Sequence, residues 1–178
     1  MSGFWGKPVS NRWEDLRVPV DSVKVTATNP ATEAAYKGGL VLSFSKSATN
    51  VVYFTCQVPH AYKVGTNIYP HVHYVPKTTG AGAIVWQLTY SWANINGTFA
   101  AETTLPVTST GALTADKHHL TSFDPITGTG KGISSMLICS LSRLGADDAD
   151  TYDDVCYLLE FDFHYLSDDT GSKNETSK

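Results

Sequence analysis

The chain has 178 residues, a net charge of −4 and 17% charged residues, against an average of about 25% in soluble domains. This length fits one domain with a core of ordinary size. Phosphate recognition needs clustered Lys and Arg, whereas the 13 basic residues are scattered, so we expect no nucleic-acid partner. No apolar run reaches the ~18 residues of a membrane span, and residues 1–6 lack signal-peptide features. We therefore expect a protein made in a cytoplasm, with no membrane partner.

Residues 1–37 form the first segment, in which prolines and aromatic residues are spread without strand periodicity. We predict an N-terminal extended arm, with a short helix at residues 12–17, that attaches to a partner subunit. Prolines interrupt backbone pairing, and each aromatic side chain can bury ~150–250 Å² on docking. The alternative is that the arm caps its own domain. The side chains predicted to make the attachment are Phe4, Trp5, Trp13, Leu16 and Arg17.

Residues 38–167 carry a two-residue periodicity, which is typical of β-strands. Gly, Pro and Asn separate the periodic segments, and no long helical pattern alternates with them. We predict an all-β fold, an antiparallel β-sandwich or jelly roll. The polar residues 168–178 are predicted to be a disordered C-terminal tail. The predicted strands are residues 39–45, 50–58, 67–75, 83–92, 103–109, 117–123, 133–141 and 155–166.

Two predicted strands carry histidines and a carboxylate on one face. His71 and His73 project from the same side of their strand, as do Asp162 and His164 of the last strand. If the strands are neighbours, these side chains form a polar cluster with the ligand types of a metal site. His-x-His on a jelly-roll strand is similar to the first cupin motif, which continues with a Glu and then a Gly. No carboxylate follows His73 before Gly80, so we predict a polar cluster or subunit contact without a catalytic metal or cofactor.

The remaining candidate groups are predicted to be structural. The three cysteines lie in apolar segments at wide spacing, so we expect small buried side chains. His118 and His119 should point to opposite faces, which argues against a joint ligand role. The aspartates between residues 147 and 154 do not have the spacing of a calcium loop, and we predict a solvated turn. The chain has no nucleophile elbow and no P-loop. We therefore predict no catalytic residue and a non-enzymatic role.

Three segments of the chain carry a family resemblance. They are Trp13-Glu14-Asp15-Leu16-Arg17, Pro70-His71-Val72-His73-Tyr74, and residues 141–165 from Leu141-Ser142-Arg143 to Phe163-His164-Tyr165. These segments resemble a family of small virion structural proteins of tailed bacteriophages. The resemblance implies a homotrimeric jelly-roll protein of the virion that decorates the capsid or serves as a head, head-fibre or tail accessory protein. Its partners would be copies of itself and other virion proteins, such as major capsid or tail subunits. A glycan- or receptor-binding tail-fibre module and a cupin-like metal-binding enzyme are the alternatives.

Overall fold

A computed structural model describes residues 11–109 and 111–178. These residues form two antiparallel β-sheets packed face to face, which confirms the predicted all-β sandwich of the jelly-roll type. Their only helical element is a 3₁₀ turn at Val20–Ser22. The strands are β1 (Arg12–Pro19), β2 (Lys24–Val25), β3 (Thr32–Tyr36), β4 (Gly39–Phe44), β5 (Thr49–Gln57), β6 (Ile68–Pro76), β7 (Val85–Ala93), β8 (Thr103–Thr108), β9 (His119–Ser122), β10 (Met136–Leu144) and β11 (Cys156–Ser167).

The first sheet is organised around β11, its longest strand. The strand order is β3-β4-β11-β6-β9, and β1 lies beside the C-terminal part of β11. One edge of β11 therefore pairs with β6, while the other pairs first with β4 and then with β1. The second sheet has the order β2-β5-β10-β7-β8. Every strand pair in both sheets is antiparallel.

The core lies between the two sheets and is built from alternate residues of each strand. In β7, Trp86, Leu88 and Trp92 face inward as the periodicity predicts. The ring of Phe44 packs edge-on against Trp86 with the ring centroids 5.4 Å apart. Burial of such large aromatic surfaces is the main favourable term in folding. The three cysteines are buried and unpaired, as predicted: Cys56, Cys139 and Cys156.

The prediction of an extended arm at residues 1–37 is wrong for two segments of that range, which are strands of the sheet. One of them includes residues 12–17, where a short helix was predicted. Residues 12–19 form β1, and residues 32–36 form β3. The free edge of β11 offers backbone groups that need partners, and β1 satisfies them. Val18 is buried opposite Phe161, so β1 is part of the folded domain.

Three residues predicted to attach the arm to a partner instead contact the chain's own domain. Trp13 packs edge-on against Tyr69, Leu16 packs against the core, and the Arg17 guanidinium pairs with the Glu160 carboxylate. The other two, Phe4 and Trp5, lie outside the described residues.

Residues 168–178 contain no helix or strand. The Lys178 ammonium donates hydrogen bonds to the carbonyl oxygens of Ala61 and Tyr62, at 3.2 and 3.1 Å. Ser172 Oγ lies 2.7 Å from His60 Nδ1. This segment therefore lies against the domain, and its disorder stays a prediction. Among the described residues, no helix has the length and apolar character needed to cross a membrane.

Candidate functional site

The predicted histidine cluster forms because β6 and β11 are neighbours. Their antiparallel register places His71 opposite Asp162 and His73 opposite Glu160. The alternate residues Val72 and Phe161 point into the core, so the cluster lies on the outer face of the first sheet. The prediction that these histidines lie on adjoining strands is confirmed.

Asp162 is the centre of the cluster. Its Oδ1 lies 3.5 Å from His71 Nδ1, and its Oδ2 lies 3.3 Å from His73 Nε2 and 3.4 Å from His164 Nε2. The rings of His71 and His164 are stacked at a tilt, with centroids 4.1 Å apart. Three imidazoles from two strands therefore surround one carboxylate. β11 supplies the carboxylate that is missing from the segment after His73.

The centre of the cluster is buried although it lies on the outer face. His71 is 9% exposed and Asp162 is 4% exposed. Three atoms at its centre are buried without a hydrogen-bond partner: His71 Nδ1, His73 Nε2 and Asp162 Oδ1. Most buried polar side-chain atoms in proteins are hydrogen-bonded. The nitrogens thus approach the carboxylate closely but without the alignment of a hydrogen bond.

The electrostatics favour a charged carboxylate in this position. Burial alone would raise the pKa of Asp162, but contacts with His71 and His73 outweigh it and hold that pKa well below its usual range. The contact with Asp162 raises the pKa of His73, against burial, which lowers it. Asp162 is therefore an anion that attracts positive charge, either on an imidazolium or on a bound cation.

Two residues that the sequence reasoning did not assign to the cluster extend it at opposite ends. His118 Nε2 lies 2.8 Å from His73 Nδ1, and Asp15 Oδ1 lies 3.1 Å from His164 Nε2. His119 instead stacks on Tyr74. Nothing in the sequence signals the contact with His118, because it depends on the register between β6 and β9. Asp15 is placed by β1, which the sequence reasoning did not recognise as a strand.

Beside the cluster is a shallow open depression with an aromatic wall. It is lined by Trp13, Tyr69, His71 and His164. Trp13 is 58% exposed, and its ring meets Tyr69 at 82° with the centroids 5.2 Å apart. The exposed Trp13 ring, held by Tyr69 next to imidazole donors, offers both a stacking surface and polar contacts.

The outer face of the second sheet has a different character, because no Asp, Glu, Lys or Arg lies among its outward residues on β5, β7, β8 and β10. Ile138 is 50% exposed near the centre, and Tyr53 is exposed beside it. Lys24, on the edge strand β2, is opposite Tyr53 in register. We call this surface the uncharged face. It consists of Val51, Tyr53, Thr55, Gln57, Gln87, Thr89, Thr104, Pro106, Met136, Ile138 and Ser140.

The acidic segment before β11 is exposed at Asp147, Asp148 and Asp153, as the prediction of a solvated turn requires, but the side chain of Asp150 is buried. The side chains of Asp150 and Arg143 are both 0% exposed, with Arg143 Nη2 2.8 Å from Asp150 Oδ1. Arg143 also donates to the carbonyl oxygens of Phe44, Tyr152 and Asp154. The sequence reasoning missed this pair because the guanidinium comes from the inward face of β10. Its role is structural, since it ties the two sheets and the acidic segment together.

No protein-family model and no curated protein sequence matches the chain. Among solved structures, the mosquito-larvicidal Cry4Aa toxin from Bacillus thuringiensis is similar with a TM-score of 0.50 and 10% identity, over 85% of this chain and 23% of the toxin. The CBM22-1 xylan-binding domain from Paenibacillus barcinonensis Xyn10C has a TM-score of 0.41 and 16% identity, over 95% of this chain and 100% of that domain. A chain in the structure of infectious bursal disease virus, Gx strain, is similar with a TM-score of 0.43 and 12% identity, over 90% of this chain and 33% of the viral chain. The chain thus spans about a quarter of the toxin, and the likeness to the toxin is one of fold alone.

Proposed function

We propose that this chain is a non-catalytic structural module of a tailed-bacteriophage virion, which assembles as a homotrimer and decorates the capsid or serves as a head or tail accessory protein. The observation that carries the assembly part is the uncharged face. The resemblance of the three sequence segments to phage virion proteins supports the place in the particle and the trimeric state. Its partners are copies of itself and major capsid or tail subunits.

The composition of the uncharged face is that of a protein–protein interface. Interface cores are depleted in Lys, Glu and Asp and enriched in Tyr and Met, and this face contains Tyr53, Met136 and Ile138. A second copy of the chain is the occupant that we propose. Each copy has a net charge of −4, and three copies that turn their uncharged faces toward a common threefold axis keep those like charges apart, with different parts of the face meeting in each contact.

The size of the face also fits an interface completed by neighbouring loops. Three strands about 30 Å long and the shorter β8, about 20 Å long, spaced about 4.8 Å apart, give roughly 530 Å². A standard interface buries about 800 Å² on each partner. The sheet alone therefore falls short, and Val25 and Phe99 are exposed apolar residues near it that can supply the rest.

Light scattering after size exclusion tests the self-association. The wild-type protein is expected at three times the chain mass of 19.3 kDa. Ile138→Lys places a charge at the centre of the uncharged face, and we expect it to run as a monomer. Leu40→Lys is the matched control, because Leu40 is exposed on the other sheet, and it should stay trimeric. A monomeric wild-type protein at micromolar concentration would contradict the proposed trimer.

The presence of the chain in purified phage particles tests the second part of the proposal, its place in the virion. Particles of the phage that encodes the chain are purified by density gradient, and their proteins are identified by mass spectrometry. We expect the chain in the particles at a fixed copy number, with density for the β-sandwich on the head or tail surface in a reconstruction. Particles that lack the chain while infected cells contain it would rule out the virion role.

The aromatic wall of the depression favours a second candidate, a glycan- or receptor-binding module of a tail fibre. Sugar rings stack on exposed aromatic side chains, and Trp13 presents such a surface beside Tyr69. Calorimetric titration with oligosaccharides from the host surface tests this candidate. We expect any binding to be lost in Trp13→Ala and kept in Phe99→Ala, which removes an exposed aromatic residue elsewhere.

A further inference from the structure

We propose that His71, Asp162 and His164 bind one divalent transition-metal ion of the zinc or ferrous iron class. The donor atoms of these three side chains all lie within 4.8 Å of one another. Two imidazoles and a carboxylate are donors that suit zinc and iron. The site would sit on the outer face of the first sheet, and its ligands come from the two neighbouring strands β6 and β11.

The spacing of the donors fits a metal ion better than it fits direct hydrogen bonds. Zinc lies about 2.0–2.1 Å from nitrogen and oxygen ligands, so two donors on one tetrahedral ion are about 3.3 Å apart. The Asp162 carboxylate presents one oxygen to each imidazole, with Oδ1 3.5 Å from His71 Nδ1 and Oδ2 3.4 Å from His164 Nε2. Hydrogen bonds to a carboxylate are shorter, at about 2.7–2.9 Å.

The lack of hydrogen-bond partners for two of these atoms is a second observation. His71 Nδ1 and Asp162 Oδ1 are buried and have no hydrogen-bond partner. A buried polar atom without a partner costs free energy, and a cation shared by these two atoms would remove that cost for both. The side chain of Asp162 is 6% exposed, so solvent does not satisfy it.

The surroundings provide the outer contacts that metal sites use. His73 Nε2 lies 3.3 Å from Asp162 Oδ2 and can orient the carboxylate, while His73 Nδ1 is in contact with His118. Asp15 Oδ1 lies 3.1 Å from His164 Nε2, within reach of an open coordination position. His164 is the most exposed of the three ligands, with 34% of its side chain accessible, so an ion enters from its side.

The experiment uses tag-free full-length protein stripped with chelator and then titrated with zinc sulfate by calorimetry. We expect one equivalent per chain, and a cobalt-loaded sample with the visible absorption bands of nitrogen and oxygen ligation. His71→Ala and Asp162→Asn should each weaken zinc binding by roughly 10–100-fold or more, since outer contacts alone change affinity by that much. His60→Ala is the matched control, because both ring nitrogens of His60 contact serines outside the cluster, Ser172 and Ser134, and it should bind as the wild type does.

Circular dichroism of each variant separates lost binding from lost folding, and Asp162→Asn is the decisive variant because it keeps the shape of the side chain. A wild-type protein that takes up no zinc at millimolar concentration would overturn the proposal. So would folded Asp162→Asn or His71→Ala protein that binds zinc as tightly as the wild type. The uncharged face lies on the opposite sheet, so Ile138→Lys should bind zinc normally, and the proposed assembly can fail without affecting this test.

Discussion

Replacing Asp150 with Asn should destabilise the protein severely, because it breaks a fully buried ion pair. The Asp150 carboxylate accepts hydrogen bonds from Arg143 Nε at 3.0 Å, from Arg143 Nη2 at 2.8 Å and from the backbone N–H of Val85 at 3.1 Å. In the variant the guanidinium of Arg143 keeps its charge at a position where the side chain is 0% exposed. The amide nitrogen of Asn would also face at least one of these donors.

The expected loss follows from the geometry of this pair. Removing one partner of a buried pair costs about 3–5 kcal/mol, against a total stability of about 5–15 kcal/mol for a natural domain. For a chain of this length the melting temperature should fall by about 2–4 °C per kcal/mol, or roughly 6–20 °C. Urea denaturation followed by tryptophan fluorescence gives the free energy directly, because Trp86 and Trp92 are buried.

Asp153→Asn is the control, because Asp153 lies in the same segment with 86% of its side chain exposed, paired with Lys46. Exposed ion pairs contribute little, so its denaturation midpoint should stay near that of the wild type. The variant Arg143→Met with Asp150→Asn should be more stable than the sum of its single changes predicts, by about 0.5–3 kcal/mol. An Asp150→Asn midpoint equal to that of Asp153→Asn would refute the reasoning.

Two further predictions concern the core and β1. Burial raises the pKa of Cys156 to about 12, and contact with Cys56 together with burial raises that of Cys139 further. These two raised pKa values leave little thiolate at pH 8 on Cys139 and Cys156, and all three cysteines are buried away from reagent. A disulfide reagent should therefore modify no cysteine of the native protein and three after urea unfolding; rapid reaction of a native thiol would contradict this. Deleting residues 1–19 should lower the melting temperature or abolish soluble expression, because β1 covers an edge of β11. Deleting residues 1–10 is the comparison, and equal melting temperatures for both truncations would show that β1 adds no stability.

The sequence predicted those strands in which apolar residues alternate. In β7 every second residue points into the core, so the period-two pattern is clear. In β1 Val18 is the one buried residue, and most of the others are exposed. Such a strand is held by backbone pairing at a sheet edge, which leaves no hydrophobic pattern in the sequence. The same reason explains why β3 was included in the arm.

The histidine cluster was predictable as far as it depended on strand faces. Residues two apart on a strand share a face, which grouped His71 with His73 and Asp162 with His164. The contacts of His118 and Asp15 depend on strand register, and so does the ion pair of Arg143 with Asp150. Register arises from the packing of the whole sheet, and a single sequence gives no direct measure of it.

The position of β11 near the end of the chain determines the order in which the protein can fold during synthesis. Arg17 of β1 pairs with Glu160 of β11 across 143 residues, so β1 has no partner strand until β11 has been made. The strands of the second sheet are complete at Leu144, well before β11 emerges. Contacts over such distances slow folding, because the loop must close before the pairing stabilises it. We therefore expect refolding in milliseconds to seconds, with the second sheet protected from hydrogen exchange before β1.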